Sequence, residues 1–169
     1  HGTPSGVDNT VIVYEQPVYF VKGQPIERLV FSEEYRLLIA DTGKAALTRI
    51  AVGDVRKLYE REPERIQPVL DEIGEVVVQA RLALEAGDSL TVGKLMWRNH
   101  ELLDQLTVSS AELDALVAAA RNAGALGAKL SGGGRGGNMI ALVTEETRSE
   151  VREALIAAGA VRVFETVVA

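Results

Sequence analysis

The sequence predicts an α+β fold in which an antiparallel sheet is covered on one side by helices. Three observations favour this class. β-branched and aromatic residues concentrate near both ends of the 169-residue chain, three amphipathic helical patterns follow one another in its middle, and a glycine-rich loop separates two short apolar segments. The predicted order is therefore strand, helices, hairpin, helix and strand.

The first third of the chain predicts strands and one strand-to-helix corner. Residues 10–21 are rich in Val, Ile, Tyr and Phe, and residues 22–25 carry a turn signature. A further strand is predicted over residues 35–40. After it, Thr42 or a neighbour is expected to cap a helix that reaches about Tyr59. Residues 41–44 would then form the corner.

Residues 62–124 predict three helices. Apolar residues recur there at steps of three and four: Ile66, Val69, Leu70, Ile73, Val76, Val77, Ala80 and Leu84. The first helix is expected to end at Gly87, with Pro68 bending or delaying it. Asp88 is predicted to cap the second helix. A capping box that begins at Ser109 predicts the third, which Gly124 ends.

The last forty residues complete the predicted sheet. Strands are expected over residues 128–130 and 138–143, on either side of the glycine loop, followed by a helix over 145–158 and a strand over 161–168. We find neither an internal repeat nor a low-complexity tract in the sequence. This pattern accounts for the α+β assignment.

Composition excludes several classes of function. With 47% apolar and 25% charged residues, the chain is expected to be globular, with one core or two small lobes. A net charge of −6 and the lack of a Lys/Arg cluster argue against nucleic-acid binding. The sequence has no cysteine and only two histidines, His1 and His100, which excludes thiol catalysis and most zinc motifs. Neither an apolar run of about 20 residues nor a signal sequence is found, so we expect a soluble, cytoplasmic protein without membrane association.

Residues 131–137, Ser-Gly-Gly-Gly-Arg-Gly-Gly, are the strongest candidate for ligand binding, because glycines leave backbone N–H groups open to an anion. A plain flexible hairpin is the alternative, but it would need only one or two glycines. Three common nucleotide motifs do not fit. A strand follows the loop where a dinucleotide fold needs a helix, that strand lacks the protein-kinase lysine, and Gly43-Lys44 is followed by Ala45 instead of Ser or Thr.

Residues 1–9, His-Gly-Thr-Pro-Ser-Gly-Val-Asp-Asn, form a second candidate, a tight turn that presents the Asp8 carboxylate. An Asx-turn or a helix cap would explain Asp8 equally well from local sequence. Together with the glycine loop, this turn suggests a kinase site. Because the chain opens with His1 and directly on this turn, we interpret it as a fragment of a longer protein.

Four ordered segments resemble the C-terminal half of mevalonate kinases, a family within the GHMP small-molecule kinase superfamily. They are residues 1–9, 41–43, 99–106 and 128–137. The last is similar to a family motif that usually reads Lys-Leu-Thr-Gly-Ala-Gly-Gly-Gly-Gly-Cys. This sequence departs from that motif at Ser131, Gly133, Arg135 and Asn138.

The resemblance implies a fold and a division into domains. Residues 35–169 would form the GHMP C-terminal lobe, with a ferredoxin-like core. Residues 1–34 would be a remnant of the N-terminal lobe, a strand-bearing piece that includes the turn with the catalytic aspartate. The rest of that lobe, with the principal nucleotide-binding loop, would lie outside this chain.

The resemblance also implies an activity: transfer of the γ-phosphoryl group of ATP to the C5 hydroxyl of mevalonate, in isoprenoid biosynthesis. Asp8 would be the catalytic residue, as general base or orienting group, and Asp8, Thr48 and Gly133 would contact the substrate. ATP phosphates would bind Ser131, Gly132, Gly133, Gly134, Arg135, Gly136 and Gly137. Mg²⁺ would be a cofactor with ligands outside this chain, which supplies none.

Several alternatives remain open at this stage. The parent could be phosphomevalonate kinase, another small-alcohol kinase, or a non-catalytic binding or assembly module of the same fold. Arg135 could clamp a phosphate or sit in solvent, and Thr48 could be an ordinary helix hydroxyl. Asn99 and His100 are expected to be a solvated or core-edge polar pair. Partners other than mevalonate and ATP would be a second copy or the N-terminal lobe, and the isolated chain is expected to be inactive.

Overall fold

The computed structural model describes residues 17–46 and 48–169. Within them, β1 (Val18–Tyr19) and β2 (Glu27–Arg28) pair as a small antiparallel hairpin. A four-stranded sheet has the order β4-β5-β3-β6, and every neighbouring pair is antiparallel. This architecture confirms the predicted α+β class.

The remaining elements follow in chain order. They are β3 (Tyr35–Asp41), α1 (Thr48–Arg61), α2 (Pro63–Ala86), α3 (Ser89–Gln105), α4 (Ala111–Asn122), β4 (Gly127–Ser131), β5 (Asn138–Val143), α5 (Arg148–Ala157) and β6 (Arg162–Val168). Each predicted strand from residue 35 onward and each predicted helix is present, and most of the bounds agree to within three residues. The predicted strands over residues 10–16 lie outside the described residues, and β1 falls in the rest of that segment.

Two helix termini match the sequence prediction. Gly87 ends α2 in the left-handed conformation, with φ of 72°, as a residue without a side chain can do at little cost. The Asp88 carboxylate accepts a hydrogen bond from the Thr91 backbone N–H at 2.9 Å and so caps α3. Pro68 neither delays nor ends α2, which already begins at Pro63.

Two other predicted helix starts are wrong. Thr42 does not cap α1, which begins six residues later at Thr48. The Thr42 hydroxyl accepts from the Lys44 backbone N–H at 3.3 Å and donates to the carbonyl of Gly137, so it stabilises the corner before the helix. The capping box is displaced by one residue. Ser110 caps α4 by accepting from the Leu113 N–H, while the Ser109 hydroxyl donates to the Asp114 carboxylate at 2.5 Å.

The sheet has two different faces, because side chains alternate along each strand. On the first face Leu38, Ala40, Leu130, Met139, Ala141 and Val163 join the main core with α4, α5 and the C-terminal part of α3. On the second face Leu37, Ile140 and Leu142 join a smaller cluster with the end of α2, the start of α3 and Phe31. Helices thus cover the first face, and the second is only partly covered.

Helix α3 reaches both apolar clusters because it packs unusually close to strand β4. Leu102 and Leu106 belong to the main core, whereas Val92 and Met96 belong to the smaller cluster. A Cβ atom on Gly93 would lie 2.1 Å from the carbonyl oxygen of Leu126, so only glycine fits at this crossing. In the part of the chain that the structure describes, no helix is long and apolar enough to span a bilayer.

Candidate functional site

The glycine loop connects β4 to β5 and has a backbone shape that only glycine adopts freely. Gly132, Gly134, Gly136 and Gly137 all have φ between 74° and 127°. Arg135 also lies in the left-handed region, with φ of 57°, which is uncommon for a residue with a side chain. The loop is therefore folded back on itself and does not form a regular two-residue hairpin turn.

Two hydrogen bonds to one carbonyl hold the end of the loop against the strand-to-helix corner. The backbone N–H and the hydroxyl of Thr42 both donate to the carbonyl of Gly137, each at 2.9 Å. In return, the Gly137 N–H donates to the carbonyl of Lys44 at 2.8 Å. The structure thus brings together two motifs that lie about ninety residues apart in the sequence.

The Asp41 carboxylate stabilises the corner from within. It accepts hydrogen bonds from the Gly43 backbone N–H at 2.8 Å and from the Arg162 guanidinium at 2.8 Å. These bonds, that from Gly43 first, hold the pKa of Asp41 below its usual value. The carboxylate is therefore ionised at neutral pH and serves the local fold.

The Arg135 side chain and backbone both contact other segments of the protein. Its guanidinium bonds to the Asp54 carboxylate of α1 at 2.5 Å and to the Thr107 carbonyl at 3.0 Å, and its backbone N–H donates to the carbonyl of Val108 at 2.8 Å. The Arg135 hydrogen bond also lowers the pKa of Asp54. Arg135 therefore ties the loop to α1 and to the segment between α3 and α4.

Sequence reasoning missed the Arg135 contacts on Asp54 and Thr107. Asp54 lies in the middle of α1 without any motif around it, and Thr107 takes a left-handed conformation, with φ of 62°, that its residue type does not predict. The one available signal was the departure of Arg135 from the family motif. A charged residue among glycines needs a partner, but the sequence alone does not identify it.

The middle of the loop lies against the first residue of α1. A Cβ atom on Gly133 would fall 2.4 Å from the hydroxyl oxygen of Thr48, so two of the three residues that we expected to contact substrate are direct neighbours. No described residue accepts a hydrogen bond from the backbone N–H groups of Gly132, Gly133, Gly134 and Gly136. The first N–H groups of any helix likewise lack partners within it.

This arrangement can bind an anion. The loop N–H groups that have no partner among the described residues belong to a segment that contacts Thr48, the first residue of α1, and the positive end of the helix dipole adds to their partial charges. The side chain of Lys44 is exposed beside the loop, where a Cβ atom on Gly136 would lie 2.9 Å from the Lys44 carbonyl. The Arg135 guanidinium is already bonded to Asp54 and to the Thr107 carbonyl.

The remaining candidate residues lie either outside the glycine loop or outside the described part of the chain. Asp8 lies outside the described residues. Asn99 and His100 are buried, with 8% and 9% of their surface exposed, and so lie at the core edge and not in solvent. Among residues 17–46 and 48–169, no group of three His, Asp or Glu side chains could hold a metal ion.

The sequence of the chain is similar to one family model and to several known proteins. Residues 80–161 match the family model described as GHMP kinases C terminal. The chain is 41% identical over 163 residues to a mevalonate kinase of Pyrococcus abyssi and 30% identical over 152 residues to one of Saccharolobus solfataricus. These matches cover 94% and 89% of this chain and 48% of each relative.

Solved structures of kinases share the fold of this chain. The L. major mevalonate kinase, described in complex with R-mevalonate, is 37% identical and superposes with a TM-score of 0.92 over 99% of this chain and 53% of its own. A Streptococcus pneumoniae phosphomevalonate kinase has a TM-score of 0.71 at 21% identity, which indicates a shared fold alone. The chain spans about half the length of the curated relatives that it matches.

Proposed function

We propose that this chain, which belongs to the GHMP kinase family, is the C-terminal part of a mevalonate kinase that transfers the γ-phosphoryl group of ATP to the C5 hydroxyl of mevalonate. Residues 1–34 would contribute to the N-terminal lobe and residues 35–169 would form the C-terminal lobe. Support comes from the 41% identity to a mevalonate kinase over nearly the whole chain. We also propose the cytoplasm as its compartment, with which a chain without cysteine is compatible.

The observation that carries this proposal is the contact between the glycine loop and the start of α1. Four loop N–H groups have no partner among the described residues, and Gly133 touches Thr48 at the helix N-terminus. Phosphoryl transfer depends mainly on positioning and on neutralising the charge of the phosphates. The loop N–H groups would bind phosphate oxygens of ATP, and the Thr48 hydroxyl would lie beside the substrate.

Asp8 would complete the reaction as general base or as the group that orients the substrate hydroxyl. A carboxylate with an ordinary pKa of about 3.9 is a weak base for an alcohol, so a neighbouring cation would have to acidify that hydroxyl. Mg²⁺ would supply charge neutralisation between ATP and the protein when bound. As the family resemblance implies, its ligands would come from the N-terminal lobe.

The experiment joins this chain to the half of the Pyrococcus abyssi mevalonate kinase that it does not match. We expect the purified chimera to form ADP from ATP only when R-mevalonate is present, as measured in a coupled assay. The 169-residue chain alone serves as the blank and should form none. Asp8→Asn should lower turnover by about 10²-fold or more, whereas Asp71→Asn, on the exposed surface of α2, should not change it.

The phosphoryl acceptor that the chimera uses distinguishes mevalonate kinase from related kinases. A folded chimera that uses phosphomevalonate but not mevalonate would contradict the proposed substrate and favour phosphomevalonate kinase. A folded chimera that turns over neither acceptor would contradict the catalytic proposal and favour a binding module. Thermal unfolding of the chimera and of each variant shows whether the proteins compared are folded.

A further inference from the structure

A cavity lies on the opposite face of the sheet from the main core, and the proposed phosphoryl transfer does not use it. It has a volume of about 500 Å³ and lies between α2, α3, the second face of the sheet and the β1–β2 hairpin. Its walls are mainly apolar and include Phe31, Leu84, Val92, Met96, Ile140 and Val168. Its size falls within the range of small-molecule sites in proteins.

Two polar side chains, Asn99 and Lys129, line this otherwise apolar cavity. The side chain of Asn99 forms no hydrogen bond with any described residue, and since no fully enclosed side-chain N or O of those residues lacks a partner, its amide group reaches the open space of the cavity. The Lys129 ammonium group donates to the carbonyl of Leu130 at 2.8 Å and has no carboxylate partner in residues 17–46 and 48–169. Burial lowers the pKa of Lys129 to about 8.

The other cation of the cavity wall is already compensated. The Arg81 guanidinium pairs with Glu27 at 2.7 Å and with Glu85 at 3.1 Å, and it stacks over the Tyr19 ring at 4.6 Å. These contacts fasten the β1–β2 hairpin to α2 and so hold one wall in place. No Asp or Glu is among the described residues that line the cavity, so its lining carries an uncompensated positive charge at Lys129.

We propose that this cavity binds an amphipathic anion, with a carboxylate-like head between Lys129 and Asn99 and an apolar body along the Met96 and Leu84 wall. Both polar side chains can donate hydrogen bonds to an anionic oxygen, and a charge-assisted bond in an apolar setting is stronger than a neutral one. The apolar walls favour a hydrocarbon body over a sugar or a nucleotide. The proposal does not depend on the glycine loop or on the kinase activity.

The experiment compares octanoate with 1-octanol, which have the same chain length and different charge, by calorimetric titration of the 169-residue protein. We expect one octanoate to bind per chain, at least tenfold more tightly than octanol. Lys129→Met keeps an unbranched apolar stem and should reduce that preference to less than twofold. Lys94→Met, on the exposed side of α3, is the matched control and should keep the full preference.

A second variant tests the place of binding independently of the charge. Ala80 lines the cavity from α2, so Ala80→Trp should fill it and abolish octanoate binding while the thermal unfolding transition is retained. Equal affinity for octanoate and octanol, or a preference that survives Lys129→Met, would overturn the proposal. The absence of saturable octanoate binding would also overturn it and would favour another chain segment as the occupant of the cavity. A dimer that octanoate dissociates would overturn it as well, because a second copy of the chain would then occupy the cavity.

Discussion

At the scale of single residues, Gly133 and Thr48 are matched to each other. The family motif usually has alanine at the position of Gly133, and here the Thr48 side chain occupies the space that a methyl group would need. A Cβ atom on Gly133 would lie 2.4 Å from the Thr48 hydroxyl oxygen and 2.8 Å from its Cβ. In this chain, a side chain at position 133 would therefore need Thr48 or the loop to move.

We expect Gly133→Ala to lower the free energy of unfolding by about 1–3 kcal/mol, because the new methyl group must push the loop away from α1. Thr48→Ala removes the hydroxyl and methyl groups that it meets. The double variant should therefore recover at least half of the loss, as measured by urea denaturation of the four proteins of the cycle. An equal loss in both backgrounds would show that the loop and α1 do not touch.

His100 is a residue whose role follows from its burial. The Leu130 backbone N–H donates to its Nδ1 at 3.3 Å, so in the neutral ring Nε2 carries the proton and donates to the Asp114 carboxylate at 3.2 Å. Burial lowers the pKa of His100, against the opposing effect of Asp114. Protonation of Nδ1 would break the bond to Leu130.

Stability should consequently fall as the pH falls below about 6.5, the ordinary histidine value. In that window the unfolded chain binds a proton that the folded chain does not, so unfolding is favoured. We expect a lower urea midpoint at pH 5.5 than at pH 7.5. His100→Asn retains an acceptor for Leu130 and should show a smaller pH dependence. An unchanged dependence would assign the effect to other groups.

At the scale of elements, the crossing of α3 over β4 fixes the spacing between helix and sheet. A Cβ atom on Gly93 would lie 2.1 Å from the Leu126 carbonyl oxygen, and one on Gly127 would lie 2.5 Å from the Gly93 Cα. Both contacts are with backbone atoms, which cannot rotate away. A side chain at either position would have to separate the helix from the strand.

We expect Gly93→Ala to lower the free energy of unfolding by at least about 3 kcal/mol, since backbone atoms must move to admit the methyl group. Gly74→Ala is the matched control on α2, where a Cβ atom would meet nothing within 4 Å. It should raise stability by about 0.5–1 kcal/mol, because alanine favours the helix over glycine. Urea denaturation of both variants measures the two changes in the free energy of unfolding. Equal changes would contradict the close crossing of α3 and β4.

The elements show what local sequence can and cannot predict. Asp88 and Gly87 act through bonds to residues no more than five positions away, so their roles at the ends of α2 and α3 were predicted correctly. Thr42 has an equally good capping sequence, yet its hydroxyl bonds to Gly137, ninety-five residues away. The same hydroxyl also accepts a local bond from the Lys44 N–H at 3.3 Å, but the pairing with Gly137 depends on a distant segment that no local pattern predicts.

At the scale of the whole molecule, β6 is an edge strand of the four-stranded sheet and carries exposed apolar side chains. Phe164 is 52% exposed and Val167 is 42% exposed, and Val161 beside the strand is 59% exposed. An edge strand with free backbone groups and apolar side chains can pair with another strand. The exposed apolar edge of β6 is therefore a surface through which the chain can associate.

We expect the 169-residue chain to associate at high concentration through β6. Light scattering over a concentration series should show a dimer, and Phe164→Lys should weaken that association at least tenfold by placing a charge on the edge. Val30→Lys, at a residue that is 75% exposed outside the sheet, is the control and should leave it unchanged. A monomer at all concentrations would contradict this expectation.

The candidate site was predictable in kind but not in detail. The glycine content of residues 131–137 predicted free N–H groups, because that property belongs to the residue type. The partners of Arg135 were not predictable, since Asp54 lies eighty-one residues away in a helix without any motif. Fold class follows from periodicity, whereas site geometry depends on which distant segments meet.

The Arg135 contacts have a consequence for the energetics of binding. Asp54 neutralises the Arg135 charge, and bonds to Thr107 and Val108 fix the loop tip before any anion arrives. A preorganised loop loses little conformational entropy when it is occupied, so more of its interaction energy remains as affinity. Selectivity for the proposed anion would then rest on backbone dipoles, and the entropy cost of ordering them was met when the chain folded.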